Sequence, residues 1–163
     1  MSEIVKKTPT VYLICGFIGA GKTTFSKKLE KETGALRITK DEWMVRIFGN
    51  VPVKDDFETL DTNVAQLATD FAFQLVERGM DVILDEGYWV RSQREELKAR
   101  VEKAGAKWVL YYIETPMEQM RERVVNRSKN PGKESFEISE EMFESYVKYW
   151  QPPTQDEGYV LAK

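Results

Sequence analysis

Residues 10–15, Thr-Val-Tyr-Leu-Ile-Cys, are apolar and β-prone almost without interruption and stop at Gly16. A run of this kind, without polar alternation, predicts a strand buried on both faces. The loop Gly16 to Lys22 follows, then helical composition over 23–31, with Thr33-Gly34 as its stop. Residues 35–39 predict a short second strand, 42–48 a helix of a turn or two closed by Gly49-Asn50, and Val51-Pro52 a loop. Over 57–78 the apolar residues Leu60, Val64, Leu67, Ala68, Phe71 and Leu75 recur mostly three or four apart, which predicts a long amphipathic helix ended by Gly79. A third strand over 81–85 ends in an acid, a charged helix covers 92–103, and a fourth apolar strand covers 107–113. Thr115 is placed to cap, and Pro116 to open, a helix running to about Arg127, since proline is tolerated at a first helical position. Residues 128–136 read as a polar, mobile connection. A last helix over 139–150 has Ser139 as N-cap and Glu140 and Glu141 in its first turn; Pro152-Pro153 ends it, and 159–162 can add an edge strand.

Strands alternating with helices at these intervals imply a parallel sheet covered on both faces, because parallel neighbours need crossover connections. The expected fold is a doubly wound α/β domain spanning 1–163, with no internal repeat and no interdomain linker.

Composition narrows the chemistry. Lysine and arginine number 24 against 27 aspartates and glutamates, a net charge of -3, which argues against a general phosphate-backbone binder. Nucleic acid is therefore not an expected partner. With no histidine in the chain, Ser-His-Asp catalysis and His-ligated metals are excluded, and a carboxylate is the natural proton acceptor. The single cysteine, Cys15, cannot pair internally, and its position in an apolar strand suits a small buried hydrophobe better than a nucleophile. No apolar run approaches the ~20 residues that cross a bilayer, and the N-terminus lacks a leader-like segment, so a cytoplasmic location without membrane association is expected.

Gly16-Phe-Ile-Gly19-Ala20-Gly21-Lys22-Thr23 fits the pattern of glycine, four residues, glycine, lysine, then serine or threonine. Glycines let backbone wrap an oxyanion, and loop and helix N–H groups bind phosphate, so Gly16, Gly19, Ala20, Gly21, Lys22, Thr23 and Thr24 are the expected ATP-binding residues. Lys22 would reach the β- and γ-phosphates, and the Thr23 hydroxyl would ligate Mg²⁺. Asp85, ending the third strand, is the second expected metal residue, although an acid there can also cap a turn. Asp41, after the second strand, is the expected acceptor of a proton from an attacking hydroxyl; the other reading is an N-cap for the next helix. Arg123 and Arg127 share a helix face and suit the charge of phosphoryl transfer, whereas Arg121 lies three residues after Glu118, the spacing of a surface ion pair. Arg91 and Arg94 could touch an anionic acceptor, and Trp43, Tyr88 and Trp89 could line its pocket or simply pack.

With these pieces the chain resembles the small P-loop kinases grouped with zeta toxins, chloramphenicol phosphotransferase and the 5′-hydroxyl kinase domain of polynucleotide kinase. The likeness rests on Gly16 to Thr23, Thr39-Lys-Asp41-Glu-Trp-Met with Phe48-Gly49, Val82 to Gly87, Arg123-Val-Val-Asn-Arg127 and the Pro152-Pro153-Thr-Gln-Asp-Glu157 tail. It implies a three-layer fold with a five-stranded parallel sheet in the order 2-3-1-4-5 and an arginine-bearing lid over about 123–138. It further implies that Asp41 activates the acceptor and that Arg123 and Arg127 clamp the donor phosphates. Many relatives carry arginine three residues after that aspartate; here the position is Met44 and the nearest arginine is Arg46, which argues against a phosphorylated acceptor. The expectation is a phosphotransferase that uses ATP and Mg²⁺ on a small-molecule hydroxyl, acting as a monomer or dimer. Polynucleotide or nucleotide kinase activity, and an ATP-hydrolysing switch, are the alternatives.

Overall fold

Alternate residues of the first strand enter two separate cores. In the computed structural model, which describes residues 7–49, 56–129 and 137–162, β1 (Thr10–Cys15) sends Val11, Leu13 and Cys15 to one face and Ile14 to the other. Both sets are fully buried, as a central parallel strand requires. β2 (Leu36–Ile38), β3 (Val82–Gly87), β4 (Lys107–Tyr112) and β5 (Val160–Leu161) complete a sheet of order β2-β3-β1-β4-β5 in which every pairing is parallel. This is the three-layer, five-stranded arrangement expected above.

Helices α3 (Phe57–Glu77) and α4 (Arg91–Lys103) cover one face; α1 (Lys22–Thr33), α5 (Met117–Lys129) and α6 (Glu140–Val147) cover the other, and α2 (Lys40–Phe48) leans on α3. The phase of α3 differs from the expected one. Its buried residues are Val64, Ala68, Ala72, Phe73 and Val76, while Leu67 and Phe71 are 60 % and 43 % exposed. The helix seats on alanines, which permit a close approach to the sheet, and Phe71 turns outward against Trp43, 6.1 Å between ring centres.

Several boundaries move for local reasons. α2 begins at Lys40, so Asp41 lies in its first turn and Thr39 takes the N-cap position. β3 continues to Gly87, and its pairing with β1 jumps from Ile14–Asp85 to Cys15–Gly87, leaving Glu86 as the extra residue of a bulge. Thr115 does not cap α5; its hydroxyl donates to the Ala20 carbonyl at 2.9 Å. Ser139 caps α6 as expected, accepting from Met142 N–H at 3.1 Å, though the regular helix ends at Val147. A short 3₁₀ turn, Gln155–Glu157, precedes β5 and has no warning in the sequence pattern. Residues 130–136, the middle of the expected lid, lie outside the described residues, as do Asn50 and the Val51-Pro52 loop.

Candidate active site

The loop between β1 and α1 is held by backbone on one side and side chains on the other. Gly16 N–H donates to the Gly87 carbonyl and Ala20 N–H to the Phe17 carbonyl, each at 3.1 Å. Gly19 and Gly21 have φ of +78° and +102°, and a β-carbon on Gly19 would sit 2.6 Å from the Met120 carbonyl oxygen, so only glycine fits there. Arg123 Nη1 donates to the carbonyls of Gly19 at 3.2 Å and Ala20 at 3.4 Å, beside the Thr115 bond to the same Ala20 oxygen. α1 starts at Lys22 with no side-chain cap and no acid in its first turn, leaving the amides of a helix N-terminus for an anion. The Lys22 ammonium donates to the Phe17 carbonyl at 3.0 Å. Burial draws its pKa down, and the nearby carboxylates of Asp85 and Asp41 oppose that.

Asp85 is 4 % exposed and accepts from Ser26 Oγ at 2.5 Å; the same hydroxyl bonds the Thr23 carbonyl at 3.1 Å, so Ser26 links the two expected metal residues. Arg37 Nη1 lies 3.5 Å from the Asp85 carboxylate. Burial nevertheless pushes the Asp85 carboxyl above its ordinary pKa. Among the described residues no three acidic or cysteine side chains converge on a point. Mg²⁺ takes one or two protein oxygens and completes its shell with phosphate and water. Thr23 and Asp85 border the same cavity and could offer two such oxygens, Asp85 from the interior of a strand and not as the cap of a turn.

Asp41 projects from the first turn of α2 with a side chain 46 % exposed. Lys40 holds it at 3.2 Å and also engages Asp61 of α3. Met44, three residues after Asp41, is 1 % exposed and belongs to the interior, while Arg46 is exposed.

Two cavities meet at the loop. One, of about 590 Å³, is bounded by Gly19 to Phe25, Lys28, Ile113, Arg123, Arg127 and Ala162; the other, of about 730 Å³, is bounded by Lys22, Thr23, Asp41, Asp61, Asp85, Glu86, Trp89 and Arg127 with residues around them. Gly19, Lys22, Thr23 and Arg127 border both. All of the sequence-predicted site residues except Gly16 line one cavity or the other; Gly16 lies beneath, packed against Ile113, Ala20 and the Lys22 side chain. Arg127 is close enough to Asp41 for that carboxylate to offset part of the burial that disfavours its charge.

Other candidates are engaged elsewhere. Arg94 is 1 % exposed, forks onto Glu157 with bonds of 2.6 and 2.8 Å, and donates to the Tyr88 and Gln151 carbonyls, so it anchors the C-terminal segment and cannot meet a substrate. Arg91 pairs with Asp156 at 2.5 Å. Arg121 bridges to Glu144 of α6 at 2.6 Å and not to Glu118. Trp43 packs on α3. Cys15 is fully buried, and burial lifts its thiol to about 12, which removes it as a nucleophile. Sequence reasoning overlooked Lys40, Asp61, Ser26 and Thr115. Lys40 alone carried a hint, by adjoining Asp41; the others act across 59 to 95 residues of chain or from another helix.

A parallel sheet with a phosphate-type loop leaving its central strand, Asp41 just after β2 and Asp85 within β3 defines a P-loop kinase-like fold. The chain belongs to the AAA domain family, whose profile matches residues 11–153. No curated protein matches the sequence significantly. Among solved structures it is similar to a candidate kinase of Chloroflexus aurantiacus, with 17% identity, a TM-score of 0.73, 90% of this chain covered and 79% of that one. It is also similar to a chain of the Pnkp1/Rnl/Hen1 RNA repair complex, with 19% identity, a TM-score of 0.68, and 90% of this chain but 45% of that one covered. Shikimate kinase from Acinetobacter baumannii, solved with shikimate, gives 21% identity, a TM-score of 0.60, and coverage of 97% and 84%. At these identities the likeness is one of fold. No helix among the described residues is long and apolar enough to cross a membrane.

Proposed function

We propose that the protein transfers the γ-phosphoryl group of ATP to a hydroxyl of a small molecule. The observation that carries this reading is the meeting of two cavities at Lys22, Thr23 and Arg127, one enclosed by the phosphate loop and one containing Asp41. A hydrolytic switch needs only the first.

In this reading the loop amides and Lys22 hold the β- and γ-phosphates, and Arg123 and Arg127, which both border the phosphate-loop cavity, clamp them, Arg127 at the junction. The acceptor oxygen attacks phosphorus as the bond from phosphorus to the β–γ bridging oxygen breaks; ADP leaves with that electron pair, and the acceptor's proton passes to Asp41. Lys40 fixes the orientation of the Asp41 carboxylate. Mg²⁺, bound by Thr23 and Asp85 with phosphate oxygens, would neutralise charge on the phosphates. Positioning and fixed charge supply most of the rate.

A small acceptor is favoured over a nucleic-acid end because the described lining of the Asp41 cavity has six carboxylates, Asp41, Glu42, Glu58, Asp61, Asp85 and Glu86, against three cations, Lys22, Lys40 and Arg127. Incubation with labelled ATP and a library of alcohols should give a phosphorylated acceptor, and Asp41→Asn should lower that transfer by about 10²- to 10⁴-fold with ATP binding retained. ATP hydrolysis that no alcohol stimulates, or normal transfer by the Asn variant, would remove the reading or Asp41's part in it.

A further inference from the structure

Within four residues after Asp85, three buried polar atoms bond nothing among the described residues: Glu86 Oε1, the Tyr88 hydroxyl and Trp89 Nε1. Buried polar groups are nearly always paired, so these three call for water or a ligand as partner; Tyr88 belongs to the core on the α3/α4 face, whereas the Trp89 ring packs on Phe17 and Tyr146. Tyr88 is only 7 % exposed and adopts a φ of +44°, a conformation that costs a non-glycine residue about 1–3 kcal/mol. The fold holds it there, since its carbonyl accepts from Cys15 Sγ and Arg94 Nη1. Glu86, at the bulge, and Tyr88 and Trp89, at this turn, all border a groove of about 740 Å³ between α3 and α4. The groove opens into the Asp41 cavity, with which it shares Lys40, Asp61, Glu86 and Trp89. Trp89 marks the reacting end: the point where a β-carbon on Gly87 would sit is 3.0 Å from Trp89 Nε1 and 3.3 Å from Lys22 Cε.

Charge selects the occupant. Lys40 is taken by Asp41 and Asp61, and Arg100 by Asp70, so among the described groove residues Glu86 and Glu96 have no ion-pair partner. Arg91 is paired with Asp156 and Arg94 with Glu157; Arg37, whose Nε and Nη1 make no hydrogen bond among the described residues, is ion-paired with Glu42 and Asp85 and borders neither the groove nor the Asp41 cavity, and Arg127 sits at the phosphate-loop end. Resting on the phosphotransferase reading, the geometry points to an acceptor that carries an ammonium group beside its reacting hydroxyl, an amino alcohol or amino sugar whose nitrogen meets Glu86 and whose oxygens accept from the Trp89 indole. Sugar acids and phosphorylated molecules are rejected by the same wall.

Glucosamine, glucose and gluconate share a six-carbon skeleton and differ in charge, which makes them suitable probes of the ¹⁵N-labelled full chain. The Trp89 indole N–H resonance is assigned by its loss in Trp89→Phe. At equal millimolar concentrations glucosamine should shift it, glucose less, and gluconate not at all. Glu86→Gln should weaken glucosamine by about tenfold or more, the scale of losing a charged hydrogen bond, while glucose is unchanged. ATP added to each sample reports on the loop amides of Gly16 to Thr23 and on the folding of the variant. Gluconate shifting the indole as far as glucosamine, an unchanged glucosamine affinity in Glu86→Gln, or no shift with glucosamine while ATP moves the loop would each overturn the inference and leave the kinase reading standing. An unmoved loop at saturating ATP and Mg²⁺ would instead overturn that reading, and this inference with it.

Discussion

A methyl group at position 19 would compete for space with the Met120 carbonyl in a backbone that side chains rarely adopt. Gly19→Ala should therefore lose about 1–3 kcal/mol of stability and most of its ATP affinity, read as a lower urea midpoint and a weaker titration with a fluorescent ATP analogue. Glu86 sets a contrasting case. Burial, with Lys40 opposing and three neighbouring aspartates adding to it, raises its carboxyl to about 7. An acid whose folded pKa is raised above the unfolded value of 4.5 stabilises the fold fully below that value and loses the contribution as pH rises through about 7. Glu86→Gln has no such loss, so its stability relative to the parent should be greater at pH 8 than at pH 5 when both are unfolded in urea without ligand. A residue that lowers stability at working pH yet lines the groove is what the proposed recognition site would carry.

At the scale of elements, the C-terminal segment is locked to α4 and to the end of β3 through Arg94. Removing one partner of a buried, forked ion pair leaves the other charge stranded, so Arg94→Met should cost about 3–5 kcal/mol, visible in thermal unfolding. Burial opposes ionisation of Glu157, but the Arg94 bond, the Thr154 N–H and the charges of Arg94 and Lys98 outweigh it and hold the pKa below its usual value. A depressed pKa stabilises above the unfolded value of 4.5 and is lost as pH falls through the folded one. The parent should thus lose its advantage over Glu157→Gln in the acid limb of a stability profile and keep it at neutral pH. None of this was legible in the sequence, because 63 residues separate the partners and an Arg-x-x-x-Lys spacing on a charged helix looks solvated. The loop between β1 and α1 was legible because its geometry is a property of eight adjacent residues. α3 was legible as a helix but not in its rotation, since periodicity counts apolar residues and does not tell an alanine seat from a leucine left in solvent.

Across the whole molecule, a parallel doubly wound sheet follows from alternation and its strand order from the family likeness, and the structure reproduces both. The placement of Asp41, Asp85 and Lys22 around one space follows from topology, since loops after β1, β2 and β3 emerge at the same sheet edge. The groove wall did not follow, because a one-residue bulge leaves no mark on hydrophobic patterning. Cys15 finally offers a means of reading the molecule as a unit. It is the chain's only thiol, it has no exposure, and its pKa of about 12 leaves little thiolate at neutral pH. A disulfide reagent such as dithionitrobenzoate should colour only when β1 leaves the sheet, so its slow rate becomes a label-free clock for global opening. ATP at 100 times its dissociation constant should slow that clock by about 100-fold, equivalent to about 2.7 kcal/mol.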